Sequence, residues 1–286
     1  MTAASLAMLI KGHAGFSGVA TGTIAAVALA LSVSPANYVV SHQQADGGFA
    51  EPGQSSDPSL TAWAILGLTA AGREPGRSPA DYLERSATRT ANDLALRVLA
   101  LDALGRDTDS LANRLEAMRG PGGRIGTPVN STIWGVIALR ATGRPAGASI
   151  RYLLRVQRTS GGWSWHPRAA PDSNDTAAAV QALRASGVAP RSRAIRRGLR
   201  YLRRLQRPDG GFALGPGRAA DAQSTAWAIQ AFVAAGRPPG TRAFRYLASL
   251  RQSDGSYRYS KAYAATPVWV TSQVLPALAR KPFPLR

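Results

Sequence analysis

The amino-acid sequence predicts an all-α fold in which about six helical hairpins close into an α/α toroid, similar to an α6/α6 barrel. Two observations support this prediction. A pattern of glutamine, paired glycines and an aromatic residue recurs along the chain, with intact neighbouring glycine pairs 39 to 49 residues apart. Each pattern lies between apolar helical segments that end at a breaker, such as the one at Gly143. Repeats of this length are typical of helix pairs that bury their apolar faces against neighbouring repeats.

Residues 1–36 precede the repeats, and we predict that they form a signal peptide or N-terminal leader. The segment Val19–Val33 is apolar and ends at Ser34-Pro35-Ala36, which is typical of a cleavage site after Ala36. It is shorter than the ~20 apolar residues of a transmembrane helix. The alternative is an amphipathic first helix of the fold. If residues 1–36 form a leader, we expect a secreted or cell-envelope protein, and otherwise a cytoplasmic one. In either case we predict that residues 37–286 form a single toroid domain.

Six repeat units follow, each consisting of a helix, a glycine turn and a second helix. In the clearest unit, Gln206 precedes the glycine turn and Phe212 follows it, and Trp227 lies in the next helix. Another unit, Tyr82–Leu104, has lost its glycines. The units are Tyr38–Leu68, Tyr82–Leu104, Gly122–Trp134, Tyr152–Leu183, Arg197–Phe232 and Tyr246–Leu278.

The residue types of the glycine turns favour the same backbone geometry in each repeat. Paired glycines such as Gly210 and Gly211 admit a positive φ. The aromatic residue that follows, here Phe212, can fill the gap between stacked helices. The side chain of Gln206 can hydrogen-bond turn backbone that would otherwise lack a partner. We therefore expect the same turn at each intact unit.

The helices of each pair are expected to differ in composition, with arginine-rich helices outside and helices rich in Ala and Trp inside. The chain carries 35 Lys and Arg against 16 Asp and Glu, a formal charge of +19. The densest cluster, Arg191–Arg207, places arginines on one helix face and Ile195 and three leucines on the other. We interpret it as a solvated outer helix. Binding to an anionic membrane or envelope surface is the alternative, and no motif indicates nucleic acid as a partner.

Composition excludes several classes of site. The chain has no cysteine, which excludes disulfides, thiolate zinc sites and cysteine nucleophiles. Its histidines, His13, His42 and His166, are far apart and form no HExxH pattern. The aspartates of the glycine turns offer one carboxylate each, which is too few ligands for calcium. We predict neither a metal nor a cofactor.

Tryptophans recur at one position of the inner helices. Trp63, Trp134 and Trp227 occupy the same place in three repeats, and Trp269 is close to that place in the last one. Such a ring of indoles can line a central cavity that holds an apolar ligand or stabilises a carbocation. The alternative is that the indoles fill a toroid whose inner helices are otherwise rich in alanine.

The run from Arg197 and Gly198 through Tyr201, Gln206 and Gly210 to Phe212 resembles the QW motif of squalene–hopene cyclase and other class II terpene cyclases. The chain after about Ala36 resembles the prenyltransferase/squalene cyclase repeat superfamily. The resemblance implies an α/α toroid and, for a ligand, an isoprenoid-like apolar molecule. Protein prenyltransferases of this superfamily bind zinc through Asp, Cys and His, a set that this chain cannot supply.

The segment Asp172-Ser173-Asn174-Asp175-Thr176-Ala177 resembles the DxDDTA box of class II cyclases. The resemblance assigns acid chemistry to this box, with Asp172 and Asp175 at its outer aspartates. The proton donor of the family falls on Asn174, and an amide cannot protonate an alkene. The structural alternative is that Asp172 and Asp175 cap an inner helix. The same residue types are predicted to begin and cap the other inner helices, at Asp57 to Thr61, Asn92-Asp93, Asn130-Ser131-Thr132 and Asp221 to Thr225.

Three hypotheses follow. The first is a repeat protein that binds an isoprenoid or other apolar ligand in its Trp-lined centre and lacks the proton donor. The second is an active class II-like cyclase, an isomerase that works from Asp172 or Asp175 with Asn174 as an orienting partner. The third is an exported scaffold or interaction module without catalytic activity.

Overall fold

The computed structural model describes residues 34–285, which form twelve α-helices, a 3-10 turn at Pro121–Gly123 and one small sheet. The predicted leader lies outside the described residues up to Val33, and its cleavage position after Ala36 falls within α1, so the leader stays a prediction. The helices are α1 (Pro35–Ser41), α2 (Pro58–Ala70), α3 (Pro79–Arg85), α4 (Ala91–Ala103), α5 (Asp109–Ala117), α6 (Val129–Ala141), α7 (Gly147–Val156), α8 (Ser173–Ala185), α9 (Arg193–Leu205), α10 (Ala222–Ala234), α11 (Thr241–Leu250) and α12 (Pro267–Leu278).

The helices form two concentric rings. The even-numbered helices α2 to α12 make the inner ring, in which each helix packs on the next and α12 packs on α2. The odd-numbered helices pack outside, each against the inner helix that follows or precedes it along the chain. The predicted α/α toroid of six hairpins is therefore confirmed.

The two rings differ because their sequences differ in the distribution of apolar side chains. The inner helices are buried on nearly all sides; in α6 every residue from Ser131 to Leu139 is buried, as expected for a helix that is apolar all round. The outer helices are amphipathic. Helix α9 buries Ile195, Leu199 and Leu202 and turns its arginines to solvent.

The glycine turns that follow Gln43, Gln157 and Gln206 have the predicted construction. Gly210 has φ +93°, and a Cβ atom there would lie 2.5 Å from the carbonyl oxygen of Arg242. Gln206 Nε2 donates a hydrogen bond to the carbonyl oxygen of Gly210 at 3.0 Å. The backbone N–H of Phe212 donates to Thr225 Oγ1 at 2.9 Å and ties the turn to the inner helix. Gln43 and Gln157 make the same bond to their own turns, at 2.9 and 2.8 Å. The last turn differs, because Gln252 Nε2 donates to the carbonyl oxygen of Leu250 at 3.2 Å instead.

The residues that begin the inner helices only partly match the predicted caps. Asp57, Asp172 and Asp221 cap α2, α8 and α10 through their side chains. The prediction that Asn92 and Asp93 begin their helix was wrong by two residues, because Thr90 caps α4 and Asp93 returns the bond to the Thr90 backbone. Asp221 also ends β2 (Ala220–Asp221), which pairs antiparallel with β1 (Phe212–Ala213).

The ring closes between the first and last inner helices through a carboxylate. Helix α12 follows Thr266, which has φ +47° and makes no side-chain cap. Instead, Glu51 accepts hydrogen bonds from the backbone N–H groups of Val268 and Trp269, at 3.0 and 2.8 Å. The helices approach closely because Gly67 has no side chain; a Cβ there would lie 2.4 Å from the carbonyl oxygen of Ser272.

Candidate functional site

The four predicted tryptophans come together at the centre of the inner ring. The Trp63 ring lies 5.3 Å from Trp134, 5.7 Å from Trp227 and 6.4 Å from Trp269, measured between ring centroids. Trp134 and Trp227 are 5.2 Å apart and nearly perpendicular, at 78°. These are the distances of direct aromatic packing. We call the four tryptophans and Phe283 the aromatic centre.

Phe283 enters the aromatic centre from the segment that follows α12. Its ring lies 5.9 Å from Trp63 and 6.0 Å from Trp134. Its backbone N–H donates to Gln181 Oε1 at 2.8 Å, and this bond holds the segment against α8. The segment that follows α12 thus covers one side of the aromatic centre.

The indoles of Trp63, Trp134 and Trp227 pack directly against one another, so they fill the centre of the ring, as the alternative interpretation of the tryptophans predicts. The predicted cavity is not open between these three rings. The side chains of Trp63, Trp134 and Trp227 are 4, 4 and 6% exposed, and Trp269 is half-buried. One indole donor in the centre is unsatisfied: Trp227 Nε1 is buried and makes no hydrogen bond within the described residues. An apolar molecule could enter this centre only by separating these rings or by replacing Phe283.

Polar side chains link three inner helices near their N-termini. Asn92 Nδ2 donates to Asn130 Oδ1 at 2.6 Å, and Asn130 Nδ2 donates to Asp175 Oδ1 at 2.5 Å. Asp172 accepts a bond from the backbone N–H of Asp175 at 2.8 Å. This polar ladder of Asn92, Asn130, Asp175 and Asp172 joins α4, α6 and α8. Asn130 lies one helical turn before Trp134, so the ladder lies next to the aromatic centre along α6.

Both acids of the ladder hold their protons more strongly than ordinary carboxyl groups. Burial raises the pKa of Asp175 well above its usual range, and the adjacent Asp172 carboxylate raises it further, while the Asn130 amide acts in the opposite direction. Burial also raises the pKa of Asp172, against the hydrogen bonds that it accepts. Two carboxyl groups in contact share one proton more readily than they ionise together. Asp172 is a cap as predicted, but Asp175 is a buried member of a hydrogen-bonded pair.

Asn174, at the position of the family's proton donor, is half-buried and accepts a 3.2 Å hydrogen bond from Ser173 Oγ. Its amide has no acidic proton to give. Helix α8 also carries Ala178 at the place where α6 and α10 carry Trp134 and Trp227. The box therefore combines a buried acid pair with an amide and a small side chain.

The zinc chemistry of protein prenyltransferases does not fit the residues present. The sequence has no cysteine. Within residues 34–285, no three Asp, Glu or His side chains come close enough together to hold a metal ion. None of the helices within residues 34–285 is long and apolar enough to cross a membrane.

Sequence reasoning missed two contributors to this site. Phe283 lies after the last repeat, and the only signal was a large apolar residue between two prolines. Asn130 was assigned to helix capping, yet its side chain bonds to α4 and α8. Its four-residue spacing from Trp134 was the available signal, because residues four apart share one helix face.

Comparisons with known proteins agree with this architecture. The model of the prenyltransferase alpha-alpha toroid domain family matches residues 2–116 and 133–257. Comparison with curated protein sequences finds no match. Among solved structures, a protein from Actinoplanes is similar with 19% identity and a TM-score of 0.66, over 88% of this chain and 99% of that chain.

Two enzymes with solved structures share the fold. The type II terpene cyclase MstE from Scytonema has 16% identity and a TM-score of 0.65, over 88% of this chain and 97% of its own. A glycosidase variant in complex with glucose has 14% identity and a TM-score of 0.62, over 92% of this chain and 99% of its own. Identities this low show a shared fold and leave the activity open. Since the family model covers well over half of the sequence, the chain belongs to the prenyltransferase alpha-alpha toroid domain family.

Proposed function

We propose that this toroid binds an apolar, isoprenoid-like molecule at the aromatic centre and does not cyclise it through the proton-donor position. One observation supports the proposal above others: Trp63, Trp134, Trp227 and Trp269 come from four different inner helices and meet at one point. MstE, which has this fold, binds geranylgeranyl dihydroxybenzoate as its substrate. We extend only the apolar character of that ligand to this chain.

Phe283 supports the proposal as an internal stand-in for a ligand. An apolar ring that reaches the centre from outside the helices packs against Trp63 and Trp134. Apolar cavities in protein interiors stay dry and bind apolar molecules. Replacing Phe283 with alanine opens such a space in the aromatic centre. The variant is thus a direct probe of whether this place accepts a free apolar ligand.

The test is a thermal unfolding measurement with geranylgeraniol added to the wild type and to Phe283→Ala. The substitution alone lowers the free energy of unfolding by about 3–5 kcal/mol, the usual cost of removing a buried Phe. Geranylgeraniol is expected to raise the unfolding temperature of both proteins and to raise that of Phe283→Ala more. A ligand at 100 times its Kd stabilises a protein by about 2.7 kcal/mol.

Two tryptophan variants provide the matched controls. Trp134→Leu removes a wall of the aromatic centre and is expected to weaken binding at least tenfold. Trp165→Ala removes a side chain that is 54% exposed on a loop and should leave binding unchanged. No stabilisation of either the wild type or Phe283→Ala would contradict the proposal, as would equal losses in the two tryptophan variants.

Catalysis by the acid pair is the second candidate, and the raised pKa of Asp175 favours it. A carboxyl group whose pKa is raised holds its proton over a wider pH range, which is what a general acid requires. The test is mass spectrometric product analysis with squalene and geranylgeranyl diphosphate. Cyclised product from the wild type, lost in Asp175→Asn, would establish this candidate. Product only from Asn174→Asp would show that the pocket is present and the donor is missing.

A further inference from the structure

Charge is distributed very unevenly along this chain. Residues 117–286 contain 27 Lys and Arg against five Asp and no Glu, whereas residues 1–116 contain eight Lys and Arg against eleven Asp and Glu. The net charge of +19 therefore comes from the second part alone. Because the hairpins follow one another around the ring, this part corresponds to the contiguous arc from α6 to α12.

The excess charge lies on the outer surface of that arc. Helices α7, α9 and α11 contain no acidic residue, unlike α3 and α5, which carry Asp81 and Asp109 in their first turns. We call the exposed arginines of these three helices the arginine face. They are Arg151, Arg155, Arg193, Arg196, Arg200, Arg203, Arg204, Arg242 and Arg245.

A cleft lies at the middle of the arginine face. It has a volume of about 580 Å³ and is lined by Arg193, Arg196, Arg197, Arg200 and Thr159. The cleft is shallow and open to solvent. Arg197 is held in place, because its Nη2 donates to the carbonyl oxygens of Arg158 and Thr159 at 2.7 and 2.8 Å. The cleft thus presents one fixed guanidinium and three exposed ones.

The arginines of α9 have no internal counter-charge. No ion pair within residues 34–285 involves an arginine of this helix. Arginines three and four residues apart repel one another and destabilise a helix by about 0.2–0.5 kcal/mol per pair. An anion bound across them would remove this repulsion. Guanidinium groups also match the geometry of phosphate oxygens, to which they donate paired hydrogen bonds.

From this arrangement we propose that the arginine face binds a linear, phosphate-rich polyanion, with some of its phosphate groups in the cleft of α9. The site is separate from the aromatic centre and goes beyond the proposed function. A flexible polyanion can follow α7, α9 and α11, although these helices face different directions around the ring. A flat bilayer meets only part of such a surface.

The apolar residues of α7, α9 and α11 also favour a linear polyanion over a bilayer as the partner. Helices that bind membranes combine a basic face with apolar side chains that insert into lipid. In α9 the apolar residues Ile195, Leu199 and Leu202 are buried against the toroid. Of the large hydrophobic side chains on α7, α9 and α11, only Leu154 is exposed, at 41%.

The experiment measures binding of inorganic polyphosphate to the full chain by fluorescence anisotropy at several NaCl concentrations. The test variant is Arg193→Gln/Arg196→Gln/Arg200→Gln. The control variant, Arg73→Gln/Arg77→Gln/Arg85→Gln, removes the same charge from exposed positions outside the arc. The test variant is expected to bind at least tenfold more weakly, and the slope of log K against log[salt] should fall by about 2. The control should change affinity less than twofold.

The other outcomes of this experiment also test whether the arginine face binds polyphosphate. Retained or raised thermal stability of the test variant shows that any loss of binding is a loss of contacts, since removing like charges relieves repulsion. Equal losses in test and control variants would overturn the proposal, because net charge alone would then explain binding. Preferential binding to phosphatidylglycerol vesicles would overturn the proposal in favour of a membrane partner. Tighter binding of single-stranded DNA would overturn it in favour of a nucleic acid. Inorganic monophosphate that binds as tightly as polyphosphate would limit the site to a single anion.

Discussion

At the scale of single residues, the aspartate that begins α10 is a buried carboxyl group. Asp221 is 4% exposed, caps α10 and also accepts a bond from Ser224 Oγ at 2.8 Å. Burial raises its pKa to about 6, although the hydrogen bonds from Ser224 act in the opposite direction. A carboxyl group with a raised pKa in the folded state stabilises the fold while protonated and loses that contribution as it ionises.

The pH dependence of stability tests this point through Asp221→Asn, which keeps a capping oxygen and removes the ionisation. The wild-type free energy of unfolding should fall as pH rises from about 4 to 6. The share of Asp221 is up to about 3 kcal/mol, since one pKa unit corresponds to about 1.4 kcal/mol. Urea unfolding at pH 4.5 and 7 should show a smaller fall in the variant. An unchanged fall would contradict this assignment, and the exposed Asp81→Asn is the control.

At the scale of elements, the glycine turns were the most predictable parts of the fold because their chemistry is local. The turn's glutamine bonds to a glycine four residues further along the chain, as Gln157 does to Gly161. The α3–α4 hairpin was harder to predict, since its unit lacks the glycines and its inner helix is capped by Thr90. Contacts between distant segments, such as Phe283 in the aromatic centre and Asn130 on Asp175, leave little local pattern.

Two alanine substitutions, one in a glycine turn at Gly161 and one after the end of α6 at Gly143, separate the reasons for glycine. Gly161 and Gly143 have φ +95° and +75°, so alanine strains the backbone at both, by about 1–2 kcal/mol. Only at Gly161 would the new Cβ also meet a backbone atom, the carbonyl oxygen of Arg197 at 2.5 Å. The free energy of unfolding should therefore fall clearly more in Gly161→Ala than in Gly143→Ala. Equal losses by urea unfolding would mean that φ alone requires glycine.

At the scale of the whole molecule, the toroid was predictable because the hairpins repeat, whereas the way in which the ring closes was not. Closure depends on Glu51 and Gly67, each of which lies more than 200 residues before the residues of α12 that it contacts. Glu51 belongs to the first glycine turn, and nothing near it in sequence indicates that it serves the last helix. Charge complementarity explains the contact, since a carboxylate favours a helix N-terminus.

The substitution Glu51→Ala tests the closure. It leaves the N–H groups of Val268 and Trp269 without their acceptor and should lower the free energy of unfolding by about 1–2 kcal/mol, the usual range for a lost N-cap. Hydrogen exchange should rise first in the N-terminal turn of α12. Glu74→Ala, which removes an exposed carboxylate elsewhere, is the matched control. Exchange that rises equally in all inner helices would argue against a local role for Glu51.

Contact between α12 and α2 means that the packing of the inner ring specifies no first and no last hairpin. Open repeat arrays expose two terminal faces and need special capping repeats to cover them. Here each hairpin is covered on both sides by another, so the cyclic order of the hairpins matters and the position of the chain break does not. A circular permutant opened at the exposed Gly143 loop, with the segment that follows Phe283 joined to α1 by a linker, would keep every neighbour relation of the ring.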